Sequence, residues 1–186
     1  MAGSDQAGSI LVVAATAREL VDVRGARSLL CGIGPVEAAV ATAHALAEKR
    51  PSAVLHVGIA GARGLEPLTL VLGTEAVYCD AAGPLVPALV PPDAHLLARL
   101  RESFPEAVLR PIATSARVGG SGELEVEAME GFAVLRACEL AGVPAVEARV
   151  ISNEIGEPDR ALWRFEDAFA RLAELLPRLV AVASAP

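Results

Sequence analysis

Val126-Glu-Ala-Met-Glu-Gly-Phe-Ala-Val-Leu-Arg-Ala-Cys-Glu-Leu-Ala-Gly-Val-Pro-Ala-Val-Glu-Ala-Arg-Val-Ile-Ser-Asn153 is the stretch whose reading decides the fold. It reads as a short strand, a helix opening at Met129-Glu130-Gly131, a stop at Gly142, and a buried strand ending in the polar pair Ser152-Asn153. A carboxylate at the mouth of a helix and an amide at the end of a strand then meet on one edge of a sheet. That edge is where α/β proteins hold their ligands.

The flanking sequence has the same grain. Ile10-Leu-Val-Val-Ala-Ala-Thr-Ala17 is a continuous apolar run, as expected of a strand covered on both faces, and Arg18-Glu19 follow at its carboxyl end. A strand over Ser28 to Cys31 leads into Gly32-Ile-Gly-Pro35, where Pro35 opens a helix that lasts to Lys49. Ala53 to Val57 reads as a buried strand closing on a glycine loop, Gly58-Ile-Ala-Gly-Ala-Arg-Gly64. Further strands are expected over Leu70 to Cys79 and Leu109 to Ala116. A helix capped by Asp93 lies between them.

After Asn153, Asp159 is expected to cap a long helix. Leu162, Phe165, Phe169, Leu172, Leu176 and Leu179 would form its apolar stripe, and Pro177 would kink or end it. Residues 1–8 read as a disordered tail. The remainder, 9–186, reads as a single α/β domain with a central mixed β-sheet flanked by helices.

Composition narrows the function classes. The 186 residues are 53% hydrophobic but only 3% aromatic, so the core is built from Ala, Val and Leu. A formal net charge of −7 and scattered arginines leave no basic footprint for nucleic acid and no polybasic membrane tether. The first apolar run lacks the positive flank of a signal peptide, and no run is long enough to span a bilayer. Cys31, Cys79 and Cys138 are dispersed, with no histidine at ligand spacing. They read as buried small hydrophobes in a cytoplasmic protein, and neither a metal nor a cofactor is expected.

Five places could carry chemistry. Glu19 could act as a general base or be a surface charge in a turn. Gly32-Ile-Gly34 lacks the rest of a dinucleotide fingerprint, because Glu37 stands where a third glycine belongs, and reads as a tight turn. The glycine loop could let the main chain of Ile59, Ala60 and Gly61 touch a flat base or a sugar. Glu130 can accept hydrogen bonds from vicinal hydroxyls over an apolar Met129 floor, or it can simply answer the helix dipole. Asn153 can read a heterocycle's edge or cap a turn.

In their order and spacing these blocks resemble the purine nucleoside phosphorylase and nucleosidase superfamily: Ile10 to Glu19, Gly32 to Ala39, His56 to Gly61, Val126 to Gly131, and Arg149 to Asn153. The resemblance implies a nucleoside site with Glu19 positioning the attacking water, Glu130 on the ribose hydroxyls and Met129 packed beside it. A phosphorylase would instead surround a phosphate with arginines, for which Arg18 and Arg63 are the candidates. The methylthioadenosine and adenosylhomocysteine nucleosidases carry an aspartate where this chain has Asn153, and an amide suits a 6-oxopurine such as hypoxanthine.

That choice, with Gly58 to Ala62, Met129 to Gly131, Asp159-Arg160 and Trp163, is most similar to the futalosine hydrolase branch, which serves menaquinone biosynthesis. The implied partners are a purine nucleoside and further copies of the chain, as a homodimer or larger homo-oligomer. An acidic 5′ substituent would want an arginine such as Arg24 or Arg117. Leu20 to Leu30 and Ser115 to Val126 look shorter than the family pattern, which leaves open a non-catalytic nucleoside-binding protein.

Overall fold

The structure, a computed structural model, describes residues 9–21, 23–80 and 83–185. The expected tail at 1–8 lies outside the described residues. In chain order the elements are β1 (Leu11–Ala14), β2 (Arg27–Leu30), α1 (Pro35–Glu48), β3 (Val54–Ala62), β4 (Leu70–Tyr78) and β5 (Leu89–Val90). They continue with α2 (Ala94–Ser103), β6 (Val108–Thr114), β7 (Val126–Ala128), α3 (Gly131–Ala141), β8 (Ala145–Glu154) and α4 (Phe165–Ser184). Short 3-10 turns occupy Ala17–Glu19 and Arg160–Leu162.

The sheet is mixed, and part of it closes on itself. β3 pairs with β8, β8 with β4, β4 with β6, β6 with β7, and β7 returns antiparallel to β3. β1 and β2 extend from this circuit in parallel. Three apolar clusters follow from this layout. One lies under α2 and α4 with Leu100, Phe104, Leu172 and Leu176, and another under α1 and α3 with Val13, Leu46, Val134 and Cys138. A smaller third lies inside the circuit with Val71, Ile112, Val126 and Ile151. Alternating side chains of β3 and β8 feed more than one of these clusters, which is why those strands read as unbroken apolar runs.

One feature of β3 creates the site. Its first half, Val54 to His56, pairs with β1, whereas its last two residues, Gly61 and Ala62, pair with β7. Between them β1 has turned away and β7 has not yet arrived. This gap at the carboxyl end of β1 is the counterpart of the crevice where parallel sheets bind ligands.

Four expectations need correction. Gly58 to Gly61 is not a loop, because β3 continues through it to Ala62 with β8 bonded along its whole length. Asp159 caps only the 3-10 turn, accepting the Ala161 N–H at 2.9 Å, and α4 starts later, after Arg164. Leu162 is therefore off the stripe and exposed, while Ala168, Leu172, Leu175, Leu176, Leu179, Val180 and Ala183 form the buried face. Pro177 does not end the helix, which runs on to Ser184; seven buried positions on both sides of it outweigh one missing main-chain hydrogen bond. By contrast, Asp93 caps α2 through His95 and Leu96, and Gly142 closes α3 at φ 64°, as the sequence predicts.

Candidate active site

A cavity of about 410 Å³ opens at the β3 gap, within the roughly 300–1,000 Å³ of small-molecule sites. Glu19, Ile59, Ala60, Gly61, Met129, Glu130 and Asn153 all line it. The structure thus brings these seven expected residues to one place.

Each is set by its element. Glu19 ends the 3-10 turn after β1 and is 5% exposed. Its Oε2 accepts from the Thr16 N–H and hydroxyl, both at 2.9 Å, and its Oε1 accepts from the Ile59 N–H at 3.2 Å. The carboxylate thus plugs the gap where β3 lacks a neighbour. Glu130, at the N-terminal boundary of α3, is 4% exposed. Its Oε1 accepts from the Gly34 N–H at 3.0 Å, so the turn between β2 and α1 holds the carboxylate from outside.

Asn153 owes its position to a β-bulge. The β3–β8 register steps from Ala60↔Ile151 to Gly61↔Asn153, leaving Ser152 without a partner. A bulge re-aims side chains, and both Ser152 and Asn153 line the cavity. The Ser152 hydroxyl lies 2.8 Å from Asn153 Oδ1, and Asn153 Nδ2 donates to the Glu154 carbonyl at 3.1 Å. The single Ser152 hydroxyl proton also lies within reach of the Ala60 carbonyl at 3.1 Å, so Asn153 keeps a second amide hydrogen and acceptor capacity on Oδ1 for a ligand.

Sequence reasoning missed what lies beneath. Arg149, 1% exposed, also lines the cavity. Its Nε donates to Glu147 Oε1 at 2.8 Å, and its Nη2 lies 3.5 Å from Glu130 Oε2. Burial disfavours its charge, but Glu147, Glu130 and Glu19 more than offset this, and the guanidinium pKa rises. Burial also pushes the Glu147 carboxyl above its ordinary range, against the pull of Arg149.

Two glycines make room for this cluster. A β-carbon on Gly58 would overlap Arg149 Nη1 and lie 2.7 Å from Glu19 Oε1, and one on Gly131 would overlap the Glu147 carboxylate. The available signal was opposite charges at i and i+2 in an otherwise apolar strand, Glu147 and Arg149, which must share a face.

Glu127 was missed as well. It lines the cavity and accepts from the N–H groups of Gly119 and Ser121 at 2.5 and 2.7 Å. It thereby pins the segment that brings Val118 to the cavity wall. The segment that looked short still walls the site.

On the opposite rim, Trp163, Phe165 and Phe169 form a run of rings with centroids 5.3 and 6.4 Å apart. Arg160 lies 5.4 Å from the Trp163 ring and lines the cavity. Neither Arg24 nor Arg117 is among the described lining residues, so the guanidinium on this rim belongs to Arg160.

The two phosphate candidates point elsewhere. Arg18 pairs with Glu166 at 2.5 Å and stacks on Phe169, and Arg63 donates to the Leu124 carbonyl at 2.6 Å. Burial pushes the Cys31 and Cys138 thiols up to about 12, so neither supplies a thiolate. Among the described residues no group of three or more His, Cys, Asp or Glu side chains is placed to hold a metal ion. No helix of the described residues is long and apolar enough to cross a membrane.

A mixed α/β sheet with three buried carboxylates, Glu19, Glu127 and Glu130, and the Asn153 amide around one cavity narrows the class. The phosphorylase superfamily model matches residues 21–183, and the chain belongs to that family. Two relatives carry one name. Futalosine hydrolase of Thermus thermophilus is 33% identical over 181 residues, covering 81% of this chain and 79% of that one. Futalosine hydrolase of Streptomyces coelicolor is 46% identical over a local stretch of 56 residues, 30% of this chain and 24% of that one. The native structure of futalosine hydrolase from Helicobacter pylori superposes with a TM-score of 0.84 at 17% identity, covering 96% of this chain and 99% of that one, and has the same fold.

Proposed function

We propose that this protein hydrolyses the N-glycosidic bond of a purine nucleoside, with futalosine as the substrate and hypoxanthine as the released base. The carrying observation is that Glu19, Glu130 and Asn153, from three separate elements, line one cavity, in a chain 33% identical to a futalosine hydrolase over most of its length. In this reading Glu19 orients and deprotonates a water, with its own geometry fixed by Thr16 and Ile59. Such pre-positioning is a large part of enzymatic acceleration.

Glu130 takes the ribose hydroxyls over Met129. The free amide hydrogen of Asn153 meets an acceptor of the departing purine, where negative charge develops. A 6-oxopurine presents such an acceptor, whereas the 6-amino group of adenine is a donor there. Water rather than phosphate is the nucleophile, since Glu19 would repel a dianion in a confined site. Arg160 and the rings of Trp163, Phe165 and Phe169 line the side that would receive an acidic 5′ substituent.

Ile33 lines the cavity yet is 61% exposed, and Val36 and Val40 continue an exposed apolar face along α1. A second copy covering that face, in a cytoplasmic homodimer, is part of this proposal. Light scattering of the wild type beside Val36→Glu checks it; a wild-type monomer would rule it out.

The test of the reaction is incubation with futalosine, inosine and methylthioadenosine, with and without phosphate, followed by chromatography of free base. Hypoxanthine released from futalosine without phosphate is the expected result. Phosphate dependence, adenine as the preferred product, or binding without release would each overturn the proposal.

A further inference from the structure

Beneath the cavity floor lies a fully buried histidine that the proposed chemistry does not use. His56 on β3 is the register partner of Glu147 on β8, two residues before the Gly58↔Arg149 pair. Its Nδ1 lies 3.0 Å from the Val13 carbonyl oxygen, and its Nε2 lies 2.5 Å from Arg149 Nη2. A carbonyl can only accept and a guanidinium can only donate. The ring proton is therefore on Nδ1, and Nε2 offers a bare lone pair to Arg149.

Arg149 is held at two nitrogens by groups that do not line the cavity, His56 at Nη2 and Glu147 at Nε. Its remaining donors face Glu130 Oε2 and the Ile59 carbonyl, each at 3.5 Å. The chemistry of position 56 is narrowly constrained. Glu19, Glu130 and Glu147 already act on this single guanidinium. Another carboxylate would add negative charge to a buried cluster, and a cationic side chain would confront Arg149. A neutral acceptor satisfies the guanidinium without changing the charge. The imidazole stays neutral because burial, and then the Arg149 charge, hold its pKa well below the usual 6.5.

We infer that His56 is a positioning residue: as a neutral acceptor it fixes the Arg149 guanidinium, together with Glu147, so that Glu130 meets the sugar hydroxyls in one orientation. This rests on the assignment of Glu130 to the sugar. Asn153 lies four residues beyond Arg149 on β8 and bonds to Ser152 and Glu154 of that strand, so base recognition does not pass through His56.

The experiment compares wild type, His56→Leu and His56→Gln, since the glutamine carbonyl can stand in for the Nε2 acceptor. Losing the acceptor is expected to lower kcat by about 10–100-fold, the scale of small misplacements in catalytic sites, with the Gln variant recovering most of the loss. Nucleoside affinity is expected to fall in the Leu variant, while hypoxanthine affinity stays at the wild-type value in both. A folded Leu variant with wild-type kcat overturns the inference, and so does a parallel loss of base and nucleoside binding, which marks a general structural role.

If the Leu variant does not fold, the Gln variant and the imidazole spectra decide. Long-range 1H–15N spectra of the wild type are expected to show a neutral Nδ1–H tautomer of His56 throughout about pH 5.5–8, and a group titrating there like a free histidine overturns the inference. A wild type that releases no base defeats the proposed function instead, while the spectra and the two affinities still test His56.

Discussion

Glu19 Oε1 accepts the Ile59 N–H at 3.2 Å across the gap that β1 leaves beside β3. The carboxylate thus does the work of a missing strand neighbour while keeping one face on the cavity. Replacing it by Gln removes the base and leaves one acceptor oxygen for two main-chain N–H groups, those of Ile59 and Thr16. Glu19→Gln is expected to lower kcat by about 10²–10⁴ in a protein that still folds, with the thermal midpoint lowered by the one main-chain N–H left without an acceptor, read by base release and calorimetry on the same preparation. An active Glu19→Gln protein would remove Glu19 from the chemistry.

Much of this arrangement was legible in the sequence, and the residues show why. Glu19, Glu130 and Asn153 each follow or precede an apolar run whose length marks a strand or helix end, so their common edge could be read from order alone. Arg149 and Glu147 sit inside such a run, and their partners, His56 and Glu130, come from distant segments that only the folded sheet brings together. The extension of β3 through Gly58 to Gly61 was hidden for a related reason. Glycine reads as a breaker, but here it is the vacancy left for the Arg149 and Glu19 side chains, which no local pattern announces.

That vacancy can be tested. Gly58→Ala places a methyl on Arg149 Nη1 and close to Glu19 Oε1. Overpacking of this kind costs about 1–3 kcal/mol of stability, and the displaced groups are those of the site. Chemical denaturation and kcat/KM are expected to fall together, with activity lost by at least about tenfold. Unchanged kinetics in Gly58→Ala would show that the Arg149–Glu19 geometry does not matter for turnover.

Asn153 lines the cavity and keeps one amide hydrogen for a ligand after its bond to the Glu154 carbonyl. Asn153→Asp exchanges that donor for an acceptor or, when protonated, a proton source. The expected outcome is a fall of about 10–100-fold in hypoxanthine release, with the ratio of adenine to hypoxanthine nucleoside turnover rising. Competition between inosine and methylthioadenosine reads that ratio, and an unchanged ratio would move base selection away from residue 153.

Arg160 stands over the Trp163 ring at the cavity rim. A hydrogen bond to a charged group contributes about 1.5–3 kcal/mol. Arg160→Ala is therefore expected to lower kcat/KM by roughly 10–100-fold for nucleosides with an acid on the 5′ side, and to leave inosine nearly unaffected. Equal losses on both substrates would make Arg160 a packing residue of the aromatic run.

His56 also makes stability depend on pH on the acid side. Its folded-state pKa is depressed well below 6.5, so as pH falls below that value the unfolded chain takes up a proton that the folded protein refuses. Stability is then lost at a slope approaching about 1.4 kcal/mol per pH unit until the folded-state pKa is reached. Glu147 acts in the opposite sense. Its folded pKa is raised, so the folded state gains a proton first and stability rises as pH falls through that range. Both His56 and the His56→Gln variant retain Glu147, so the difference between their stability curves isolates the imidazole. Urea unfolding at steps from pH 7.5 to about 5 is expected to show the Gln variant losing less stability than wild type, with the gap opening near pH 6.5 and widening downward. Parallel curves would mean that His56 accepts a proton in the folded protein, and the lone pair assigned to Arg149 would then be absent.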